Sequence, residues 1–281
     1  MNTLQILILA AVQGIAELLP VSSSAHVIVA EKLMGLDPTA PQMTLLLVML
    51  HTGTMFAVIV NFWKSWRETY FSSAQQFTSN GARLMVATAA TGVVGLALMQ
   101  GIKHFVAANA SKFEIEQLFG NAHLMAAALA AAGILIIISA RIAASGLNNV
   151  SMRSALWIGA VQGLCLPFRG FSRSGATIST GLALGVERRR AEQFSFALAV
   201  ILTPVVIAKE GYRLYTVEHA AGAAGAHDLL HSLAPGLLGM VLSFLTGLFA
   251  LRWLSRWLEQ GRWYLFGLYC LIAALIVVWV G

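Results

Sequence analysis

Charged side chains are scarce in this sequence. Asp, Glu, Lys and Arg supply 11% of its 281 residues, against about 25% in a soluble domain, and 58% of the chain is hydrophobic. With a mean hydropathy of +0.76, this excludes a water-soluble globular protein. Cysteine is nearly absent: Cys165 and Cys270 stand far apart in apolar surroundings, which excludes a disulfide framework and a CxxC metal site and makes both packing residues. Basic residues outnumber acidic ones, 18 to 12. They fall in short clusters between apolar runs, with no stripe and no interleaved aromatics, so nucleic acid is excluded as a partner. The N-terminal apolar stretch has no basic region before it, and Gln13 and Glu17 stand where a cleavage site is expected. The stretch is therefore read as retained.

What is present is the pattern of an all-α polytopic membrane protein. Six runs, about 43–63, 82–102, 121–141, 191–210, 234–254 and 262–280, are long enough to cross a hydrocarbon layer of roughly 30 Å. Two further apolar regions, 3–34 and 153–186, are broken by Pro, Ser and ionisable residues into halves too short to cross. Irregular backbone at membrane depth must be buried in protein or line a wet cavity, so each region reads as a re-entrant helix-loop-helix. The two resemble each other. Ala11-Val12-Gln13-Gly14-Ile15 precedes Pro20 and Ser22-Ser23-Ser24, while Ala160-Val161-Gln162-Gly163-Leu164 precedes Pro167 and Ser172-Arg173-Ser174. The chain is thus one membrane domain of two repeats, about 1–145 and about 150–281, each a re-entrant hairpin plus three transmembrane helices. Three is odd, so the second repeat enters the membrane inverted.

Charge predicts the orientation. Alternating the loops puts Lys32, Lys103, Lys112, Lys209 and Arg213 on the side of both termini, and Lys64, Arg67, Arg83, Arg141, Arg153, Arg188, Arg189, Arg190, Arg252, Arg256 and Arg262 on the other. The richer side is expected to be cytoplasmic. The first hairpin then dips in from the outer face and the second from the cytoplasm. Arg188-Arg189-Arg190 is read as a topology signal that can touch anionic headgroups. The spacings Gly159 to Gly163 and Gly181 to Gly185 are read as close helix packing.

The chemistry is concentrated at the two tips. If residues 3–18 are helical, Gln13 and Glu17 are i, i+4 neighbours; Pro20 breaks the helix, the serines can cap the next half-helix, and His26 lies one turn into it. In the second tip Gly170 and Gly175 permit close backbone approach, Ser172 can cap, and Arg173 offers a planar fork of donors. Two half-helix N-termini, with Arg173, would form an anion site suited to phosphate. Charge at mid-bilayer is costly, so Glu17 and Arg173 are expected to be functional. His51 lies inside a span, where structural and functional roles weigh equally.

These tips resemble the motifs of the undecaprenyl-diphosphate phosphatase, or bacitracin resistance, family of bacterial inner membranes. The first family motif matches Gln13, Glu17, Pro20, Ser22, Ser23 and His26; the second matches Gly170, Ser172, Arg173, Ser174 and Thr177. The resemblance covers essentially the whole chain. It implies hydrolysis of undecaprenyl diphosphate to the monophosphate and phosphate, recycling the carrier for peptidoglycan synthesis, with the site facing the periplasm. It also implies a divalent cation, Mg²⁺ or Ca²⁺, bridging the diphosphate, for which the sequence assigns no ligands. Two positions depart from the pattern. Phe168 and Arg169 separate Pro167 from Gly170, where the family sets Pro directly before Gly, and Gln13 leaves a single carboxylate in its pair.

On this reading Arg173, Ser172, Ser174 and Thr177 hold phosphate oxygens. Glu17, poorly solvated and so expected to have a raised pKa, is the general base for Ser22, Ser23 or water, with Ser23 preferred. His26 is the acid for the leaving group or itself the nucleophile. The expected partners are a polyprenyl diphosphate, whose tail leaves sideways between spans, and membrane lipids; the oligomeric state, a dimer included, is left open. The rival is an anion or lipid-phosphate transporter, since inverted repeats with broken helices are transporter architecture.

Overall fold

The computed structural model describes residues 2–36, 41–107, 121–142, 149–220 and 226–280. Among these it is all-helical. The ten helices are α1 (Thr3–Leu18), α2 (Ser23–Leu33), α3 (Pro41–Tyr70), α4 (Ala74–Ala107), α5 (Ala122–Arg141), α6 (Met152–Leu164), α7 (Arg173–Ala183), α8 (Arg188–Ala220), α9 (Ala226–Glu259) and α10 (Trp263–Val280). Each of the six expected spans coincides with a helix, α3 to α5 and α8 to α10. Four contain segments long and apolar enough to cross a membrane by length and composition: Leu45–Tyr70, Ala74–His104, Ala122–Arg141 and Ala234–Glu259. The outward face of α4 carries Met85, Val93 and Leu96, each more than 60% exposed, a surface that suits hydrocarbon and not water. The chain is a multi-pass membrane protein.

Each broken region folds as two short helices. α1 starts at a capping box, with the Asn2 side chain accepting from the Gln5 amide N–H at 2.8 Å and the Gln5 side chain accepting from the Asn2 N–H at 2.9 Å. It ends at Leu18, two residues before Pro20, whose ring and missing N–H cannot continue it. α6 is capped by Ser151, which accepts from the Ser154 N–H at 3.0 Å, and ends at Leu164 before Pro167.

The packing is reciprocal between the halves. α1 lies on α9 and α6 on α4; α2 touches α10 and α7 packs on α5; α5 and α10 pack on each other. Small residues set these distances. A Cβ on Gly159 would run into the backbone of Ala87, and one on Gly163 would lie 2.9 Å from the Thr91 carbonyl oxygen, while the Thr91 hydroxyl donates to the Gly159 carbonyl at 2.9 Å. Gly181 likewise packs against the Ala191 side chain. Gly185 also ends α7, with a φ of 80° and an N–H bond to the Leu182 carbonyl, a conformation that favours glycine. Gly159→Val is expected to cost about 1–3 kcal/mol by overpacking, read as a lower thermal midpoint in detergent.

The core joins both halves. Trp263 is buried, and its indole N–H lies 3.2 Å from the Ser139 hydroxyl and 3.1 Å from that of Ser179, linking α10, α5 and α7. Lys112 and the boundary near 145 lie outside the described residues, as do the side chains of Lys209 and Arg213.

Candidate active site

The tips of the two hairpins meet in one cavity of about 230 Å³, lined among others by Glu17, Ser22, Ser23, Ser24, Ser172, Arg173 and Ser174. Its wall is completed by apolar side chains including Leu166, Phe168 and Phe171.

Glu17 is the hub. Its Oε1 accepts from Arg173 Nη2 at 2.5 Å; its Oε2 accepts from the Ser23 hydroxyl at 2.5 Å and from the Gln13 amide at 3.1 Å. The last bond is the i, i+4 contact expected from residues 13 and 17. His51 Nε2 stands 3.6 Å from the same Oε2, while its Nδ1 is 2.8 Å from the Leu47 carbonyl of its own helix and donates to it. The expectation of a carboxyl inclined to hold its proton is therefore corrected. Burial disfavours the ionised form, but a guanidinium and two further donors on its oxygens favour it, and a carboxylate accepting all three is the species whose hydrogen bonds are satisfied. Both residues are largely enclosed, with side-chain exposures of 12% for Glu17 and 29% for Arg173.

The serines divide the work differently from the capping expectation. Ser22 holds the N-cap position of α2 but makes no side-chain cap; its backbone lies at φ 66°, and it is the one non-glycine residue with positive φ among those described. Such strain is tolerated where the surroundings over-determine it, commonly at functional sites. Its hydroxyl meets that of Ser24 at 3.2 Å. The N-terminus of α2 consequently faces the cavity without a side-chain cap, the arrangement that suits an anion. At the second tip Ser172 does cap, accepting from the Gly175 N–H at 3.2 Å. Ser174 donates to the Leu19 carbonyl at 3.2 Å, a bond from one tip to the other.

The inserted Phe168 and Arg169 both line the cavity. Gly170 closes the turn at φ 101°, and a Cβ there would strike the Met125 carbonyl, so the glycine is required twice over.

Three expected site residues stand back from the cavity wall. Gln13 is buried beneath Glu17 and reaches the site only through it. Thr177 is wholly buried, donating to the Arg173 carbonyl at 2.8 Å and lying 2.6 Å from the Ser195 hydroxyl, so it anchors the start of α7. His26 Nδ1 is 2.8 Å from the Ser22 carbonyl, and its Nε2 is 2.6 Å from the Tyr269 hydroxyl, with the two rings stacked. The cavity wall also holds Gln162 and Thr203, which the motifs alone did not single out. Gln162 was legible only as the repeat counterpart of Gln13.

The chain matches the family model described as bacitracin resistance protein BacA over residues 6–276. It is 62% identical over 278 residues to undecaprenyl-diphosphatase 2 of Acinetobacter baylyi, covering 99% of this chain and 98% of the relative. It is 32% identical to an undecaprenyl-diphosphatase of Desulfosudis oleivorans, covering 100% and 99%. Undecaprenyl-diphosphatase 1 of Burkholderia pseudomallei is 33% identical, covering 95% and 92%. With two motif-bearing tips around one carboxylate and guanidinium, and a family match over residues 6–276, the chain belongs to the bacitracin resistance protein BacA family.

Proposed function

We propose that this protein hydrolyses undecaprenyl diphosphate to undecaprenyl phosphate and inorganic phosphate, returning the lipid carrier to peptidoglycan synthesis and conferring resistance to bacitracin. The observation that carries the reading is Glu17, which holds a serine hydroxyl on one oxygen and a guanidinium on the other. A base bonded to a nucleophile beside a phosphate-binding cation is a phosphoryl-transfer arrangement.

The diphosphate occupies the cavity between the N-termini of α2 and α7. Arg173, Ser172 and Ser174 take its oxygens. Ser23 Oγ attacks the terminal phosphorus as its proton passes to Glu17; the bond from that phosphorus to the bridging oxygen breaks, and undecaprenyl phosphate leaves. Glu17 passes that proton to the departing phosphate oxygen, is again a carboxylate, and deprotonates a water that attacks the phosphorus of the serine ester; the P–Oγ bond breaks, Ser23 Oγ takes the proton back from Glu17, and phosphate is released. Arg173 stabilises the charge on the transferred group throughout. Thr177 supports Arg173, and Gln13 supports Glu17. His26, bonded to Tyr269, lies behind Ser22 and orients that strained turn.

A divalent cation is implied by the family resemblance. Among the described residues no three His, Cys, Asp or Glu side chains cluster, and Glu17 already accepts from three side chains. These residues do not form a cage for Mg²⁺ or Ca²⁺. An ion carried in on the diphosphate oxygens belongs to the substrate.

The lipid tail leaves sideways. Phe168 and Phe171 are shared between the polar cavity and an adjoining pocket of about 270 Å³, whose other lining residues, Leu124, Ala128, Ala131 and Leu164, are also apolar. The reciprocal packing of each hairpin on the last two helices of the other half supports two inverted repeats. The charge bias supports an inner-membrane protein with both termini and the cavity on the periplasmic side. A transporter of anions or lipid phosphates needs donors for its cargo but has no use for a carboxylate bonded to a serine.

The test is phosphate release from a C55 or C15 polyprenyl diphosphate by detergent-purified protein, with and without Mg²⁺ or Ca²⁺. Release is expected from the wild type. Its absence under every condition would transfer the argument to a transporter, assayed by anion or lipid movement in liposomes.

A further inference from the structure

Gln162 is 1% exposed, and neither its Nε2 nor its Oε1 has a hydrogen-bond partner. A primary amide carries two donors and an acceptor, and burying it unpaired is costly. Among the described residues it is the one buried side-chain amide with both heavy atoms in this state; Gln193 lacks a partner only at Oε1, its Nε2 donating to Ser65. Gln162 also lines the cavity that holds Glu17, Ser23 and Arg173. Its counterpart in the first repeat, Gln13, is equally buried but spends its amide on Glu17 at 3.1 Å. The second tip has no carboxylate at the equivalent place: four residues after Gln162 stands Leu166, where Glu17 follows Gln13. The second tip thus has the amide without a carboxylate one turn on to take it up.

We infer that Gln162 is a substrate-binding residue, its Nε2–H donating to a non-bridging oxygen of the bound diphosphate and its Oε1 accepting from a water held beside it. A neutral amide suits this position because it contributes a donor without drawing Glu17 away from Arg173 as a second cation would. The inference deepens the phosphatase reading, on which the identity of the ligand rests.

Gln162→Leu tests it, because the two possible roles of the amide move the melting temperature in opposite directions. Replacing an unpaired buried amide with an apolar group of similar volume is neutral or stabilising. The ligand-free variant is therefore expected to melt at or above the wild-type temperature in detergent. Inorganic pyrophosphate, which is expected to raise the wild-type midpoint, should raise that of the variant far less. In turnover KM should rise about 10-fold or more, the range of a hydrogen bond to a charged group, with kcat changed much less. A lower ligand-free midpoint with the pyrophosphate shift and KM intact would overturn the inference by assigning the amide a structural role. So would a variant unchanged in every readout. Gln162→Met guards against a packing fault particular to leucine; failure of both variants to fold would also overturn the inference. The pyrophosphate shift needs no turnover, so wild-type protein that binds pyrophosphate but releases no phosphate would count against the phosphatase reading and leave the role of Gln162 open to the same comparison.

Discussion

Arg173→Ala is expected to lower kcat/KM for phosphate release by about 10³-fold or more, the scale on which a phosphoryl-stabilising arginine acts. Two losses combine. The guanidinium that neutralises the transferred group disappears, and Glu17 Oε1, which accepts from Arg173 at 2.5 Å, is left as an unpaired carboxylate in an enclosed site. Arg173→Lys keeps the charge but not the planar fork, so one ammonium must serve both Glu17 and phosphate; it is expected to recover only part of the loss. Because the two residues share a contact, Glu17→Ala and Arg173→Ala should not be additive, and the double variant should fall little below the worse single one. The measurement is kcat/KM for the four variants, with far-UV circular dichroism and thermal melts confirming the fold. Additive losses would mean that the pair does not act as a unit.

Ser23→Ala is expected to reduce kcat by about 10³-fold or more, as loss of an activated nucleophile does, while Ser22→Ala loses much less. The geometry separates them: the Ser23 hydroxyl donates to Glu17 at 2.5 Å, whereas the Ser22 hydroxyl, among the described residues, meets that of Ser24. Glu17→Gln should reproduce the Ser23→Ala defect, since an amide cannot take the proton. Quenching the reaction with labelled substrate should trap phosphoserine in the wild type and none in Ser23→Ala. A phosphoenzyme that survives in Ser23→Ala but is lost in His26→Ala would overturn the serine assignment and make the imidazole the nucleophile.

Much of this arrangement was legible beforehand because it depends on local spacing. Gln13 and Glu17 are one helical turn apart, so their contact follows from α1 alone, and Ser172 caps α7 because its side chain needs only its own neighbours. Other local readings failed where the chain turns. Ser22 does not cap α2, because its backbone at φ 66° is not the extended conformation of a capping residue. The cross-helix partners of Thr177, His26 and His51 were not legible. Thr177 meets Ser195, His26 meets Tyr269 and His51 approaches Glu17, and each of these partners belongs to another helix.

The sequence by itself determined the membrane class, the two broken regions and the likeness of their tips, because hydrophobic length, helix-breaking residues and motif spacing are properties of the chain in order. Only the tertiary structure decided which of those residues meet. Glu17 and Arg173 are 156 residues apart, and they touch because each hairpin packs against helices of the other half, through glycines that let the backbones approach. The same packing encloses Gln162 without a partner, since whether a buried amide is satisfied depends on what surrounds it in three dimensions and on nothing in its local sequence.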